Sequence, residues 1–238
     1  AQWLKTNLNP ESVVEFGCND GVLLKPLKEL GIRTCGVDIS RNITDLAREK
    51  NLDVVTGYFD DDTAETIKTR LGNVDVVTGS NVFAHNDQPE KILQAARRLL
   101  KPTGHLCLEV MYAADLLEMM QWDTLYHEHL TFYGLSSLSV LLNRYGFHVI
   151  AAERLPMHGG SLRVVAGLDP QEPPKPSIEE KREYERSVGL NSPDTWNDFG
   201  RRVDRKIKVV RETVGRLNST SRIWGYGAAG KATLWVNA

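Results

Sequence analysis

The first 150 residues alternate short apolar segments with longer segments of helical periodicity. The short segments have the length and β-branched composition of strands, and they are "SVVEF" (12–16), "TCGVD" (34–38), "LDVVTGYF" (52–59), "VDVVTG" (74–79) and "HLCLEVM" (105–111). The amphipathic segments that separate them cover 22–30, 41–50, 63–71 and 89–100. Strand–helix alternation predicts a parallel sheet covered by helices on both faces.

The pattern changes after a further predicted helix over 135–145. Two strand-like segments, "FHVIAAERL" (147–155) and "SLRVVAGL" (161–168), are joined by the short connection "PMHGG". Because no long helix separates these two segments, we expect them to form an antiparallel hairpin. The sequence therefore predicts an α/β fold with a Rossmann-like, mainly parallel sheet that ends in an antiparallel hairpin.

The C-terminal third has a different composition. "DPQEPPKPS" contains four prolines, and a highly charged segment follows it. Together they predict a linker over 169–195. A helical pattern near 196–217 and the segment "SRIWGYGAAGKATLWVNA" then predict a helix, a strand and a glycine turn. We therefore divide the chain into a ligand-binding catalytic domain (1–168), the linker (169–195) and the opening part of a second α/β domain (196–238).

Composition excludes several classes of protein. The 238 residues are 41% hydrophobic, which is enough for a full core, and the net charge of −2 without a basic run argues against a nucleic-acid partner. No apolar stretch approaches the roughly 20 residues of a membrane span. Cys18, Cys35 and Cys107 are scattered, which argues against a disulfide framework. We expect a cytoplasmic protein without a signal peptide, and the missing initiator Met suggests a piece of a longer polypeptide.

The stretch "VVEFGCNDGVLL" (13–24) predicts a strand, a glycine turn and the start of a helix. Glycines let a backbone approach a ligand closely, and a helix N-terminus directs amide donors toward anionic groups. The second predicted strand ends at Asp38, whose carboxylate can accept hydrogen bonds from both ribose hydroxyls of an adenosyl ligand. The alternative is a tight turn in which Asn19 or Asp20 caps the helix and Asp38 is solvated.

The spacing E-x-G-x-x-x-G resembles motif I of class I S-adenosylmethionine-dependent methyltransferases, whose sheet also ends in an antiparallel hairpin. The resemblance implies S-adenosylmethionine as the cofactor. It assigns the ribose to Asp38, the adenine to the region of Phe59 and Asp60, and the methionine part to Asn81. The implied cofactor-binding residues are Glu15, Gly17, Asn19, Gly21, Asp38, Phe59, Asp60 and Asn81.

Two histidine-containing segments follow predicted strands. "SNVFAH" places Asn81 and His85 after the fourth strand, and "TLYHEHL" follows the fifth. Because ligands of open α/β sheets bind beyond the carboxyl ends of the strands, we expect His85 and His129 to face one cavity. A general base needs a histidine that a neighbouring group orients, and Glu128 is the candidate carboxylate. Tyr126 can donate a hydrogen bond to a substrate oxygen that becomes negative.

Two other interpretations of "YHEH" stay open. His127 and His129 are two residues apart, whereas the zinc motif H-E-x-x-H places its histidines four apart on one helix face. We therefore predict no metal site in this chain. The same four residues are also ordinary components of an exposed helix surface.

Five segments occur in the order and spacing of sugar C-methyltransferases: "EFGCNDG", "SNVFAH", "TLYHEHLTFY", "LPMHGGSLRV" and "GYGAAGK". That resemblance implies methylation at C-3′ of dTDP-linked 4-keto-deoxysugars in antibiotic biosynthesis. His129 matches the base that removes the C-3′ proton. Residues that match positions around the sugar, the enolate oxygen, the base or the nucleotide phosphates are His85, Tyr126, Glu128, Asn81, His158, Arg163 and Lys231.

The chain departs from that family twice. It has no Cys-rich N-terminal zinc module, and only the opening of a C-terminal domain is present. Three alternatives therefore stay open: a C-methyltransferase module acting on another keto carbon acid within a larger enzyme, an O- or N-methyltransferase, and a cofactor-binding module without turnover. Gly225, Gly227 and Gly230 also match the dinucleotide pattern G-x-G-x-x-G, but the acidic residue expected about 20 positions later is not in the chain.

Overall fold

A computed structural model describes residues 1–227 and 229–238. Among these residues seven strands form one sheet: β1 (Ser12–Phe16), β2 (Arg33–Asp38), β3 (Val54–Thr56), β4 (Val74–Ser80), β5 (Leu100–Met111), β6 (His148–Leu155) and β7 (Ser161–Gly167). The strand order is β3-β2-β1-β4-β5-β7-β6. Strands β1 to β5 are parallel, and β7 is antiparallel to both β5 and β6. The predicted Rossmann-like sheet with its antiparallel hairpin is confirmed.

Helices cover both faces of this sheet. They are α1 (Gln2–Asn7), α2 (Leu24–Glu29), α3 (Arg41–Glu49), α4 (Asp61–Leu71), α5 (Pro89–Leu99), α6 (Ala113–Glu118), α7 (Leu135–Arg144), α8 (Ser177–Ser187), α9 (Pro193–Asn218) and α10 (Gly230–Asn237). Val13 and Val14 point to opposite faces of β1, and both are fully buried. Central strands buried on both faces explain why their sequences are nearly continuous apolar runs.

Strand β3 is shorter than predicted. The apolar run over 52–59 predicts a long strand, but only Val54–Thr56 pair, and they pair with Gly36–Asp38 of β2. β3 is the edge strand and has one neighbour, so its length is limited by the end of β2. The residues after β3 turn toward the carboxyl edge of the sheet, where Phe59 and Asp60 precede α4.

Within the predicted linker over 169–195, residues 177–187 form helix α8. Ile178 and Glu185 of α8 are buried, and Tyr184 packs partly against the main core. Buried positions seven residues apart lie on one helix face. The charged residues of this segment lie mainly on the opposite, exposed face of the helix. Because they dominate the composition, the composition alone did not indicate that one face of the helix is packed.

Glu185 connects α8 to the start of α7. Its carboxylate accepts hydrogen bonds from the backbone N–H of Leu135, from the backbone N–H of Ser136 at 3.0 Å and from the Ser136 hydroxyl at 2.6 Å. The first backbone N–H groups of a helix have no partner within the helix, and a negative charge at this end also interacts favourably with the helix dipole. A side chain from the predicted linker therefore caps a helix of the sheet domain.

We expect Glu185→Ala to lower the free energy of unfolding by about 3 kcal/mol, because it leaves buried donors without an acceptor. Glu185→Gln retains one acceptor oxygen and should cost less. Urea unfolding of the two variants and the parent measures both values. A loss below about 0.5 kcal/mol for Glu185→Ala, the size of an ordinary surface substitution, would contradict this role.

The predicted strand in "SRIW" does not form. Residues 222–227 have no regular secondary structure, and Trp224 is 83% exposed. A strand needs a neighbouring strand for its backbone hydrogen bonds, and no strand of the described residues pairs with this segment. Ala228, in the predicted glycine turn, lies outside the described residues. The division into three domains remains a prediction.

None of the helices that the structure describes has both the length and the apolar composition that a bilayer span requires. The longest, α9, carries one buried residue, Phe199, and is otherwise partly or fully exposed.

Candidate active site

A cavity of about 190 Å³ lies beyond the carboxyl ends of β1, β2 and β4. Its lining includes Gly17, Asp38, Phe59, Val82 and His85. A second cavity of about 350 Å³ shares part of this wall and includes Asp60. The structure thus brings four residues predicted for the cofactor or the chemistry to one cavity, and it places a fifth beside it.

Gly17 shapes the turn after β1. Its φ is +66°, and a Cβ at this position would lie 2.7 Å from Cγ2 of Val82. Glycine is therefore needed both for the backbone conformation and for the close approach to the cavity wall. Gly21 has a φ of +84°, and a Cβ there would lie 2.1 Å from Cδ1 of Leu52. Gly21 is not part of the cavity lining, so this glycine is required by packing.

Asp38 organises the backbone around the cavity. Its Oδ2 accepts a hydrogen bond from the N–H of Asn19 at 3.0 Å, and its Oδ1 accepts one from the N–H of Ser40 at 2.9 Å. Each carboxylate oxygen can accept a further bond. The Asn19 side chain accepts from the N–H of Asp20 at 2.8 Å, so its observed role is local, within the turn. Asp60 accepts from the N–H of Thr63 at 3.0 Å and caps α4.

Two buried acceptors near the strand ends have no hydrogen-bond partner among the described residues. They are Oε2 of Glu15 and Oδ1 of Asn81. Burial raises the pKa of Glu15 to about 8. Asn81 has a φ of +53° and its N–H donates to the Glu109 carbonyl at 2.8 Å, so its backbone is fixed while its side-chain oxygen is unpaired. Such atoms are candidates for ligand contacts because an unmade buried hydrogen bond is costly.

His85 and His129 lie side by side at the edge of the cavity. Their ring centroids are 4.8 Å apart, with an interplanar angle of 83°. The backbone N–H groups of Leu130 and Thr131 donate to the carbonyl of Ala84 at 3.1 and 3.3 Å. This pair of hydrogen bonds ties the loop after "YHEH" to the 3₁₀ turn Phe83–His85 and explains how two distant segments meet.

A backbone carbonyl orients His129. Nδ1 of His129 lies 3.1 Å from the carbonyl oxygen of Thr124. A carbonyl oxygen only accepts, so this contact assigns the hydrogen to Nδ1 and leaves Nε2 as the basic nitrogen. Glu128, the carboxylate predicted for this role, is exposed, and no hydrogen bond joins it to His129 in the part of the chain that the structure describes. The predicted orienting group is therefore replaced by the Thr124 carbonyl.

The environment lowers the pKa of His85. Burial is the largest cause, the charge of a protonated His129 acts in the same direction, and Glu128 opposes them. Two imidazoles at this separation disfavour a doubly protonated state. A neutral pair, in which one ring can take up a proton, is the arrangement that general-base chemistry requires.

We expect the pKa of His85 to rise in His129→Gln, because the neighbouring positive charge is removed. His127→Gln, which changes the exposed histidine two residues away, should leave the pKa of His85 unchanged. NMR titration of the imidazole resonances measures both. An unchanged or lower pKa of His85 in His129→Gln would show that the two rings are not coupled in solution.

The "YHEH" segment does not lie on a helix. Tyr126 to His129 form a turn, in which the N–H of His129 donates to the carbonyl of Tyr126 at 3.1 Å. His127 is exposed. Over 1–227 and 229–238 there is no group of three or more His, Cys, Asp or Glu side chains placed to hold a metal ion. The ring of Tyr126 lies 5.1 Å from that of His129.

The structure separates His158 from Arg163. His158 is exposed in the β6–β7 hairpin loop, at the same edge of the sheet as the cavity. Arg163 forms ion pairs with Glu109 at 3.2 Å and Glu153 at 3.3 Å, and its guanidinium lies 4.4 Å from the centre of the Trp3 ring. The prediction that Arg163 contacts the sugar or diphosphate is therefore not supported, because its side chain is held on the sheet face that α1 covers.

Lys231 lies beside the "YHEH" turn. Its Nζ is 3.9 Å from Oδ1 of Asp123, and the preceding Gly230 packs against the ring of Tyr126. The side chain of Lys231 is about half exposed, so its ammonium group can reach a ligand at this edge.

Residues 1–152 match the family described as "Methyltransferase domain". The chain belongs to this methyltransferase family. Residues 156–238 match a second family, described as "C-methyltransferase C-terminal domain". The boundary between the two matches falls in the β6–β7 hairpin, so the second match includes β7, α8, α9 and α10.

Curated relatives of this methyltransferase include the C-methyltransferase NovU of Streptomyces niveus, which is 33% identical over 228 residues, or 95% of this chain and 54% of NovU. A ubiquinone biosynthesis O-methyltransferase of Cupriavidus pinatubonensis is 34% identical over 98 residues, which is 40% of this chain and 39% of that protein. The chain thus spans about half the length, or less, of the curated relatives that it matches.

Solved structures with the same fold include the magnesium protoporphyrin IX methyltransferase ChlM of Synechocystis PCC 6803 with bound SAH. It is 20% identical, with a TM-score of 0.53, and the alignment covers 69% of this chain and 78% of ChlM. The glycopeptide N-methyltransferase MtfA complexed with sinefungin is 16% identical, with a TM-score of 0.54 and coverages of 71% and 92%. At these identities the likeness shows the fold alone.

Sequence reasoning missed Thr124, whose carbonyl orients the histidine of this methyltransferase. A backbone carbonyl belongs to every residue type, so no motif marks it. It also missed the packing of α10 against the 3₁₀ turn Trp122–Thr124. Two tryptophans, Trp122 and Trp235, could have indicated a contact, but they lie 113 positions apart in the chain.

Proposed function

We propose that this chain is the catalytic part of a S-adenosylmethionine-dependent C-methyltransferase. The enzyme removes a proton from the carbon next to a keto group and methylates the resulting enolate carbon. The observation that carries the proposal is the hydrogen bond between Nδ1 of His129 and the Thr124 carbonyl. This hydrogen bond leaves Nε2 of His129 free to accept a proton, at the edge of the cavity that Asp38 and His85 line.

The residues of the cavity fit S-adenosylmethionine. Asp38 has acceptor capacity left for ribose hydroxyls, and Gly17 leaves space where a Cβ would meet Val82. Among the described residues, Glu15 and Asn81 each have a buried side-chain oxygen without a hydrogen-bond partner, and the amide oxygen of Asn81 can accept from the ammonium of the methionine part. When bound, the cofactor supplies an electrophilic methyl group. This fit supports the assignment that motif I implies.

The chain's own residues handle the proton and the charge. The keto group acidifies the neighbouring C–H, Nε2 of His129 takes the proton, and the electron pair of the C–H bond moves into the enolate. Burial and the neighbouring His129 lower the pKa of His85, which favours its neutral form, and a neutral His85 does not repel the proton that His129 acquires. The hydroxyl of Tyr126 is the candidate donor to the enolate oxygen, since its ring lies against His129.

For the substrate we propose a dTDP-linked 4-keto-deoxysugar methylated at C-3′, on a route to an antibiotic sugar. The five shared motifs and the similarity to NovU over 95% of the chain support this choice. Lys231 and His158 border the same edge and would meet the phosphates and the sugar. Another keto carbon acid within a larger biosynthetic enzyme is the nearest alternative.

O-methylation is the second candidate, because ubiquinone biosynthesis O-methyltransferases are also relatives. Their alignments cover 40 to 46% of this chain, whereas that of the C-methyltransferase covers 95%. The wider match includes the C-terminal part that contacts the "YHEH" turn. This difference favours C-methylation.

Methyl transfer to a panel of keto-sugar nucleotides, followed by mass spectrometry, tests the proposal. With a ¹³C-labelled methyl donor, carbon NMR of the product distinguishes a methyl group on carbon from one on oxygen. We expect a C-methyl product. An O-methyl product would replace the proposal with the second candidate.

A further inference from the structure

Helix α10 packs against the 3₁₀ turn that precedes "YHEH". The ring of Trp235 lies 4.7 Å from that of Trp122, with an interplanar angle of 67°. The indole Nε1 of Trp235 donates to Oδ2 of Asp123 at 3.1 Å. Both contacts join the C-terminal segment to the turn Trp122–Thr124, which lies within the methyltransferase domain.

That turn contains the carbonyl that orients His129. Thr124 is almost fully buried, and its backbone N–H and its hydroxyl both donate to the carbonyl of Gln121, at 3.1 and 2.7 Å. The rigid geometry of the turn leaves the Thr124 carbonyl directed at Nδ1 of His129. The orientation of the His129 ring therefore depends on the position of the whole turn Trp122–Thr124.

The loop that carries His129 is anchored at both ends. Its downstream end is tied to the Ala84 carbonyl by the backbone hydrogen bonds described above. At its upstream end the Gln121 side chain donates to the Gly159 carbonyl, and α10 holds the residues that follow. The aromatic contact of the partly buried Trp235 with the buried Trp122, combined with a charge-assisted hydrogen bond, is a specific way to fix a short turn.

We propose that Trp235 and Asp123 form a positioning pair for the base. Their hydrogen bond holds the turn Trp122–Thr124 in the place where the Thr124 carbonyl keeps the proton of His129 on Nδ1. The inference rests on the proposed function for its effect on rate, and it gives the C-terminal segment an indirect part in the chemistry, through the orientation of His129. Neither residue needs to touch the substrate or the cofactor.

Trp235→Phe tests this pair, because phenylalanine can still pack against Trp122 but cannot donate to Asp123. Trp196→Phe is the matched control: the Nε1 of Trp196 donates to the Leu190 carbonyl at 2.8 Å, so an indole hydrogen bond, here to a neutral acceptor, is also lost on another helix. ¹⁵N NMR of the imidazole nitrogens reports the tautomer of His129 without any need for substrate.

We expect the parent and Trp196→Phe to show His129 protonated on Nδ1, and Trp235→Phe to show a mixture of tautomers. In Trp235→Phe kcat should fall about tenfold, the effect of about one lost hydrogen bond, while KM for S-adenosylmethionine is unchanged. Asp123→Asn keeps an acceptor oxygen for the indole and should retain the parent tautomer, whereas Asp123→Ala should not.

An unchanged His129 tautomer in both Trp235→Phe and Asp123→Ala would overturn the positioning role. Equal changes in Trp235→Phe and Trp196→Phe would also overturn it, because they would indicate a general loss of packing. Failure of the proposed function gives a different result: His129→Gln would keep full turnover, while the tautomer in Trp235→Phe could still shift.

Discussion

Turnover is expected to fall by about 10²- to 10⁴-fold when His129 is replaced by glutamine, the range that a general base contributes. Glutamine is similar in size and can still donate toward the Thr124 carbonyl, but it has no basic nitrogen. Cofactor affinity should be nearly unchanged, because Asp38 and Gly17, rather than His129, line the cofactor cavity. Methyl transfer followed by mass spectrometry and cofactor binding followed by calorimetry give the two values.

His127→Gln is the control for this substitution. His127 belongs to the same turn, but it is exposed and carries no assigned role. We expect parent turnover in His127→Gln. If His129→Gln is as active as the parent, or if the two variants lose activity equally, His129 is not the base.

Asp38→Ala should weaken binding of S-adenosylmethionine by about 10²-fold. The loss of two hydrogen bonds between a carboxylate and ribose hydroxyls corresponds to about 3 kcal/mol. Asp38 also accepts from the N–H groups of Asn19 and Ser40, so the free energy of unfolding should decrease as well. Calorimetry measures the affinity, and urea unfolding without the cofactor measures the second effect separately.

Asp45→Ala is the matched control for Asp38→Ala. Asp45 is exposed on α3 and forms a surface ion pair with Arg48 at 2.6 Å, a type of contact that contributes little. Its removal should leave both cofactor affinity and stability close to those of the parent. If Asp38→Ala binds the cofactor as tightly as Asp45→Ala does, Asp38 does not bind the ribose.

The sheet was predictable because its signals are local. Each strand of the parallel part is a short apolar run, and the hairpin follows from two such runs without an intervening helix. The positions of Gly17 and Asp38 could also be predicted from the sequence. In such a fold the turn after the first strand and the end of the second strand lie at the ligand-binding edge of the sheet. The structure places both residues at one cavity.

The misses have identifiable physical causes. Glu185 caps α7 from 50 residues away, and its own segment is dominated by exposed charges. The strand predicted in "SRIW" depends on a partner strand that local propensity cannot supply. Both faces of β7 are buried, so strand alternation alone does not place Arg163, and its position depends on its ion pairs with Glu109 and Glu153 from the neighbouring strands.

Removal of a proton from carbon, the first step of the proposed reaction, can be measured without methyl transfer. The most direct measurement incubates the protein in D₂O with a dTDP-linked 4-keto-deoxysugar and S-adenosylhomocysteine, so that no methyl group can be transferred. Mass spectrometry and proton NMR then measure deuterium at C-3′. We expect incorporation that depends on enzyme and is lost in His129→Gln. Incorporation no faster than in buffer, from a protein that still methylates the same sugar, would contradict this expectation.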